Sequence, residues 1–252
     1  MPRQARKKSR TGIYHIMIRG INRQTIFETD EDYIKFIDTI QKSKEKSGFE
    51  LYGYCLMGNH IHLLLREVKE PLSLSIQRMC SSFVYWYNWK YDRFGHLFQE
   101  RYKSEVVENE AYLMTVLRYI HQNPIKAGIT NSLTGYKWSS YREYVGKQNV
   151  IDNKIILELF AKEKQLAQKE FEKFMNKVNE DICLDYEEKH RIADEEIIKQ
   201  IEEKYGVKKG FFHLLERQER DKILKYLKTI NGVTIRQLVR VIGVTKFMVE
   251  KA

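Results

Sequence analysis

The sequence is poor in cysteine and proline, with three of each in 252 residues. Cys55, Cys80 and Cys183 are odd in number, far apart and part of no spacing motif. That excludes a disulfide framework or a thiolate metal site and points to a reducing, cytoplasmic setting. No apolar run approaches the roughly 20 residues that a membrane span requires, so no membrane partner is expected. The basic first ten residues are followed by no long apolar segment, so no secretory signal is expected either. Internal repeats and low-complexity tracts are also missing. What remains is an ordinary apolar share of 42% beside 31% charged residues, the composition of folded domains with a charged surface. The length suits one large domain or two small ones.

The formal net charge of +10 is unevenly distributed. Residues 1–146 carry 22 basic and 15 acidic side chains, residues 147–204 carry 11 and 15, and residues 205–252 carry 11 and 4. Two basic modules around an acidic, helical spacer are the footprint expected of a protein that meets a polyanion in two places. These three segments are the expected domain organisation. The arm Arg3, Arg6, Lys7, Lys8 and Arg10 would follow such a polyanion electrostatically.

Periodicity predicts the elements. Ile13–Ile18 reads as a strand and ends in Arg19-Gly20-Ile21-Asn22-Arg23, a loop rich in phosphate-binding side chains. Thr29 or Asp30 caps a helix that ends at Gly48. Strands at 49–57 and 60–66 flank the tight turn Gly58-Asn59. Pro71 opens a helix to about Tyr91, in which Trp86 and Trp89 are expected in the core. A short strand runs over 103–108, and a further helix starts near Asn109 and is expected to end near Asn123, before Pro124. The order β-α-β-β-α-β-α predicts an α+β fold, a ferredoxin-like split βαβ antiparallel sheet with one extra helix. An all-α region follows. Its end, Thr234 to Ala252, has the spacing of a helix-turn-helix, in which Arg236, Gln237, Thr245 and Lys246 would reach DNA. A plain helical hairpin fits the same spacing.

The sharpest feature is Gly58-Asn59-His60-Ile61-His62. In a strand, residues two apart project from one face, so His60 and His62 stand side by side while Ile61 faces away. Two imidazoles so placed pack poorly in a core but offer a platform for a divalent metal. In Tyr119-Ile120-His121-Gln122-Asn123, Tyr119 and Asn123 are one helical turn apart on one face. Asn123 could add an oxygen to a metal held by the two histidines, and Tyr119 would sit beside a phosphate polarised there. A phenol with a pKa near roughly 10 needs help to act as a nucleophile. His121 points off that face and reads as structural, and His15 has no assigned role.

Together with Tyr14-His15 and Arg19-Gly20-Ile21-Asn22-Arg23, with Gly95-His96-Leu97-Phe98-Gln99-Glu100-Arg101-Tyr102-Lys103, and with Pro124-Ile125-Lys126-Ala127-Gly128, these strings closely resemble the REP-associated tyrosine transposases. Those are single-tyrosine HUH endonucleases of insertion sequences. The likeness spans about residues 10–146. It implies that His60, His62 and Asn123 are ligands of Mg²⁺ or Mn²⁺ and that Tyr119 is the catalytic nucleophile. The substrate it implies is single-stranded or hairpin DNA, cleaved and rejoined through a 5′-phosphotyrosine. It further implies that Arg19, Asn22, Arg23, Arg101 and Lys103 contact DNA. Related enzymes act as monomers or as homodimers with the tyrosine in trans. Three other readings share part of the pattern. They are a domesticated DNA-binding protein with a vestigial site, a rolling-circle replication initiator or relaxase, and a metallohydrolase that uses water.

Overall fold

Alternating β-branched and aromatic residues form β1 (Ile13–Arg19), and the other apolar runs form β2 (Glu50–Met57) and β3 (His60–Arg66), with Lys103–Val106 as β4. The strands assemble in the order β2-β3-β1-β4 with every neighbouring pair antiparallel. This is the split βαβ sheet that the sequence predicts. The computed structural model describes residues 6–146, 148–185, 192–208, 210–230 and 232–252. Arg3 of the basic arm lies outside the described residues.

Helix α1 (Asp30–Ser47) starts at a capping box, in which Thr29 and Asp32 satisfy each other's backbone, and stops at Gly48 in the left-handed region, φ 67°. Helix α2 (Leu72–Lys90) packs against α1 through Phe36 and Phe83, whose rings meet edge to face at 5.0 Å. Buried Asp32 ties the pair, accepting from Lys90 Nζ at 2.6 Å. Trp86 is half-buried against the core, but Trp89 is 76% exposed, contrary to its expected burial. The stripe of α2 that meets the core is filled by Ile76, Met79, Phe83 and Tyr87, which leaves Trp89 on the outer face.

Helix α3 (Glu110–Lys126) runs past the expected end at Asn123 and contains Pro124. Proline forfeits one helical bond, but the amides that follow still find partners: Ala127 N–H donates to Asn123 O and Ile129 N–H to Pro124 O, each at 2.9 Å. Asn123 therefore keeps helical geometry. Helix α3 seats on β2 where Gly53 leaves room: a Cβ at Gly53 would lie 2.6 Å from Leu117 Cδ1.

The compact units divide at Asp185/Tyr186, not at 146 and 204. Residues after Gly146 belong with the sheet because they are hydrogen-bonded and packed to it. Asp152 N–H donates to Leu51 O at 2.7 Å, and Phe171 of α6 (Lys164–Met175) stacks on Tyr144 at 4.3 Å. Helices α4 (Tyr141–Val145) and α5 (Lys154–Glu158) complete this unit. The second unit builds its own core from Ile197 and Ile201 of α7 (Asp194–Tyr205), Leu224 and Leu227 of α8 (Arg217–Thr229), Leu238 of α9 (Ile235–Ile242) and Val249 of α10 (Lys246–Lys251). Regrouped in this way, the units hold 29 basic against 23 acidic and 15 against 11 residues, so both are positive and the acidic spacer disappears. Among the described residues no helix is long and apolar enough to cross a membrane.

Candidate active site

Strand alternation and register assemble the site. His60 pairs with Arg19 and His62 with Met17 across β3 and β1, so both imidazoles share the face on which α3 lies. Their rings are 5.1 Å apart. His60 Nδ1 lies 2.7 Å from Asn59 Oδ1, an acceptor, so Nδ1 carries the proton and Nε2 is left with its lone pair. His62 is fully buried, with Nδ1 3.0 Å from His15 Nε2 and Nε2 3.3 Å from the Asn123 amide nitrogen. Burial pushes His62 well below the ordinary imidazole value, and its neighbours His15 and His60 push the same way. His60 is lowered too, by burial, against a weaker opposing pull from Asp185. Both rings are therefore neutral at pH 7, the state in which a histidine ligates a metal.

Helix α3 brings Tyr119 and Asn123 over these rings. The Tyr119 ring centre is 5.7 Å from His62 and 6.0 Å from His15. His60, Tyr119 and Asn123 line one cavity of about 430 Å³ with Lys126, Ala127, Asp181, Ile182, Cys183 and Asp185. The segment 181–185 lies across α3. Asp181 holds Arg118 through two bonds of 2.7 and 3.0 Å, and the Tyr119 hydroxyl donates to Asp185 Oδ2 at 2.9 Å. Burial raises the Tyr119 phenol above its ordinary value, and the Asp185 charge and hydrogen bond raise it further. Lys126 Nζ is 5.2 Å from the Tyr119 ring centre and donates to Asp181 O at 3.1 Å.

Asp185 and Lys126 escape sequence reasoning. Asp185 is 66 residues from Tyr119, in a stretch with no motif, and only tertiary packing joins them. Lys126 was within reach, since it lies two turns beyond Tyr119 on the same helix. His121, read as structural, donates to or accepts from Ser140 Oγ at 2.9 Å, among Tyr141, Tyr144 and Phe171.

The residues expected to contact DNA fall in several places. Arg19 ends β1 beside His60, and Asn22 and Arg23 are exposed in a tight turn with positive φ values of 52° and 63°. Arg101 is exposed just before β4, and Lys103 opens that strand. In the second unit Arg236, Thr245 and Lys246 are exposed, Thr245 capping α10 and Lys246 pairing with Glu250 at 3.2 Å. Gln237 instead spends its amide inside the unit, donating to Ile192 O at 2.7 Å and Asp194 Oδ1 at 2.9 Å.

Paired histidines thus lie beneath a helical tyrosine on one face of a four-stranded antiparallel sheet. Residues 8–123, somewhat less than half of the chain, match the family model described as "Transposase IS200 like". A protein of Haemophilus influenzae described as "Putative REP-associated tyrosine transposase" is 24% identical over 159 residues, 58% of this chain and 88% of the relative. A solved structure described as "Structure of the REP associates tyrosine transposase bound to a REP hairpin" shares the fold at a TM-score of 0.51 and 18% identity, covering 57% of this chain and 86% of that one.

Proposed function

We propose that this chain is a transposase that cleaves and rejoins single-stranded or hairpin DNA with Tyr119 as nucleophile and a divalent ion, Mg²⁺ or Mn²⁺, held by His60, His62 and Asn123. The observation that carries the reading is that Tyr119, Asn123 and His60 line one open cavity, with the buried His62 ring behind them 3.3 Å from the Asn123 amide. The donor set suits such an ion. His60 Nε2 is left with a free lone pair by Asn59, His62 Nε2 faces the Asn123 amide, and rotation of that amide by half a turn presents Oδ1 to the same spot. When bound, the ion supplies Lewis-acid polarisation of a phosphate oxygen and a template for its position.

The chain's own residues do the rest. Tyr119 Oη forms a bond to phosphorus in line with the scissile P–O bond, which breaks and leaves a free 3′-OH beside a 5′-phosphotyrosyl ester. The phenolic proton must leave as that bond forms. Asp185, which already accepts it in a hydrogen bond, is positioned to receive it. Attack by a 3′-OH on the ester reverses the step and rejoins strands without nucleotide hydrolysis. Arg19, Asn22, Arg23, Arg101 and Lys103 would grip the DNA around the sheet. The second unit, through a helix-turn-helix of α9 and α10, would contact it with Arg236, Thr245 and Lys246. Its Gly243 takes φ 76° between the two helices, as a sharp turn requires.

The test is a denaturing gel of the protein with labelled hairpin DNA and Mn²⁺ or Mg²⁺. A protein–DNA adduct that survives denaturation is expected for the wild type and is lost in Tyr119→Phe. Cleavage by Tyr119→Phe at the wild-type rate would remove the tyrosine mechanism.

A further inference from the structure

Among the described residues, His15 is the one buried histidine on the site's face of the sheet for which the reaction above has no use. It is fully buried on β1, directly opposite Glu105 of β4 and two residues from Met17, which faces His62 of β3. Carboxylate and two imidazoles thus run in a row across three strands. His15 Nε2 is 3.0 Å from His62 Nδ1, and His15 Nδ1 is 3.7 Å from Glu105 Oε2. At that distance Nδ1 has an electrostatic partner but no hydrogen bond, and it is among the buried polar atoms left without one.

The protons in this row can be ordered. A neutral imidazole carries one N–H and one lone pair. The Asn123 amide nitrogen can only donate to His62 Nε2, so that atom holds the lone pair, and an ion at Nε2 makes the same demand. His62 must then bear its proton on Nδ1 and donate it to His15 Nε2. His15 in turn bears its proton on Nδ1, and that N–H points at the Glu105 carboxylate. Every position in the row is determined by the one before it. A core position of this kind would pack better with leucine, because a buried N–H without a hydrogen-bond acceptor is costly.

We propose that Glu105 and His15 are positioning residues, a relay across the sheet that holds His62 as its Nδ1–H tautomer and aims the Nε2 lone pair at the ion site. The inference rests on reading His62 as a metal ligand. Asn59 does the same for His60 with a single side chain, and both ligands therefore present Nε2. The two differ in what stands behind them. Behind His60 is a neutral amide; behind His62 is a carboxylate acting through a second ring, which raises the basicity of the ligand as well as fixing its orientation. Leu184 N–H donates to Glu105 Oε2 at 3.2 Å, so the segment that reaches Tyr119 also steadies the far end of the relay.

Long-range ¹H–¹⁵N correlation spectra of the metal-free full chain, labelled at histidine, read the tautomers directly. His62 is expected as Nδ1–H. In His15→Phe, which keeps a ring but offers no acceptor, His62 should revert to the Nε2–H form that imidazole prefers in water. Mn²⁺ affinity, read by EPR titration, should then fall about 10–100-fold, the usual cost of removing such a partner. His15→Gln, whose amide oxygen can accept from Nδ1–H, should recover most of that loss. Glu105→Gln sits on a partly exposed side chain and tests the carboxylate without disturbing the core; it should weaken Mn²⁺ by about tenfold at most. An Nε2–H tautomer in wild-type His62, or unchanged Mn²⁺ affinity in a folded His15→Phe, overturns the relay. If the wild type binds no Mn²⁺ at all, the metal reading fails and takes the relay with it; a wrong tautomer with Mn²⁺ binding intact fails the relay alone.

Discussion

The Tyr119 hydroxyl donates to Asp185 Oδ2 over 2.9 Å, joining residues that lie 66 positions apart. The bond has two opposite consequences. It gives the phenolic proton an acceptor, and it sets a negative charge where a phenolate would form, which raises the phenol's pKa.

Asp185→Asn should therefore lower the Tyr119 pKa. The charge goes, the burial contribution stays, and the value should move back toward the ordinary tyrosine range without reaching it. Ultraviolet titration of Asp185→Asn and of wild type, each subtracted from the matching Tyr119→Phe background, reads the change. An unmoved or raised Tyr119 titration would contradict the electrostatic account.

Acid should destabilise the first unit through His121. Burial lowers this imidazole to about 3 from an ordinary 6.5. Between those values the unfolded chain binds a proton that the folded chain refuses. The associated stability is complete above about pH 6.5 and is lost as pH falls toward 3. The slope approaches about 1.4 kcal/mol per pH unit for one such group. Urea unfolding followed between neutral pH and pH 4 should show it, and His121→Gln should reduce the slope by that share while buried His15, His60 and His62 keep theirs. An equal slope in that variant would assign the acid sensitivity elsewhere.

Gly53→Ala should cost about 1–3 kcal/mol, because the added Cβ meets a fully buried leucine at close range. Leu117 lies on α3 two residues before Tyr119, so the shift should also weaken nicking at a temperature where the variant is folded. Thermal unfolding and the gel assay on one preparation separate the two effects.

Chelation should abolish nicking while leaving much of the DNA affinity, since phosphate contacts by basic side chains need no ion. Binding itself should weaken steeply with salt, the logarithm of affinity falling by about 0.7–0.9 per phosphate neutralised for each decade of salt. Fluorescence anisotropy with and without EDTA over a salt series covers both. A flat salt response would argue against a polyanion partner.

The sequence alone determined the sheet and which side chains are proposed to react. Period-two alternation places His60 and His62 on one face, period-3.6 spacing places Tyr119 and Asn123 on another, and turn chemistry at Gly48 and Gly58-Asn59 sets the strand limits. These are local rules, and α1, β1, β2 and β3 follow them to within a residue or so. Pro124 shows where a local rule yields, because one missing bond in a last turn is outweighed by the packing of α3 on β2.

The predicted sheet already places β1 between β3 and β4, but only the tertiary structure decided that the His15 ring stands between His62 and Glu105. It alone returned residues 148–185 to the first unit and set Asp185 on Tyr119. The reason is physical. Contacts across sheets and between distant segments depend on which surfaces bury together, and burial is a property of the whole chain with no period or spacing to record it beforehand.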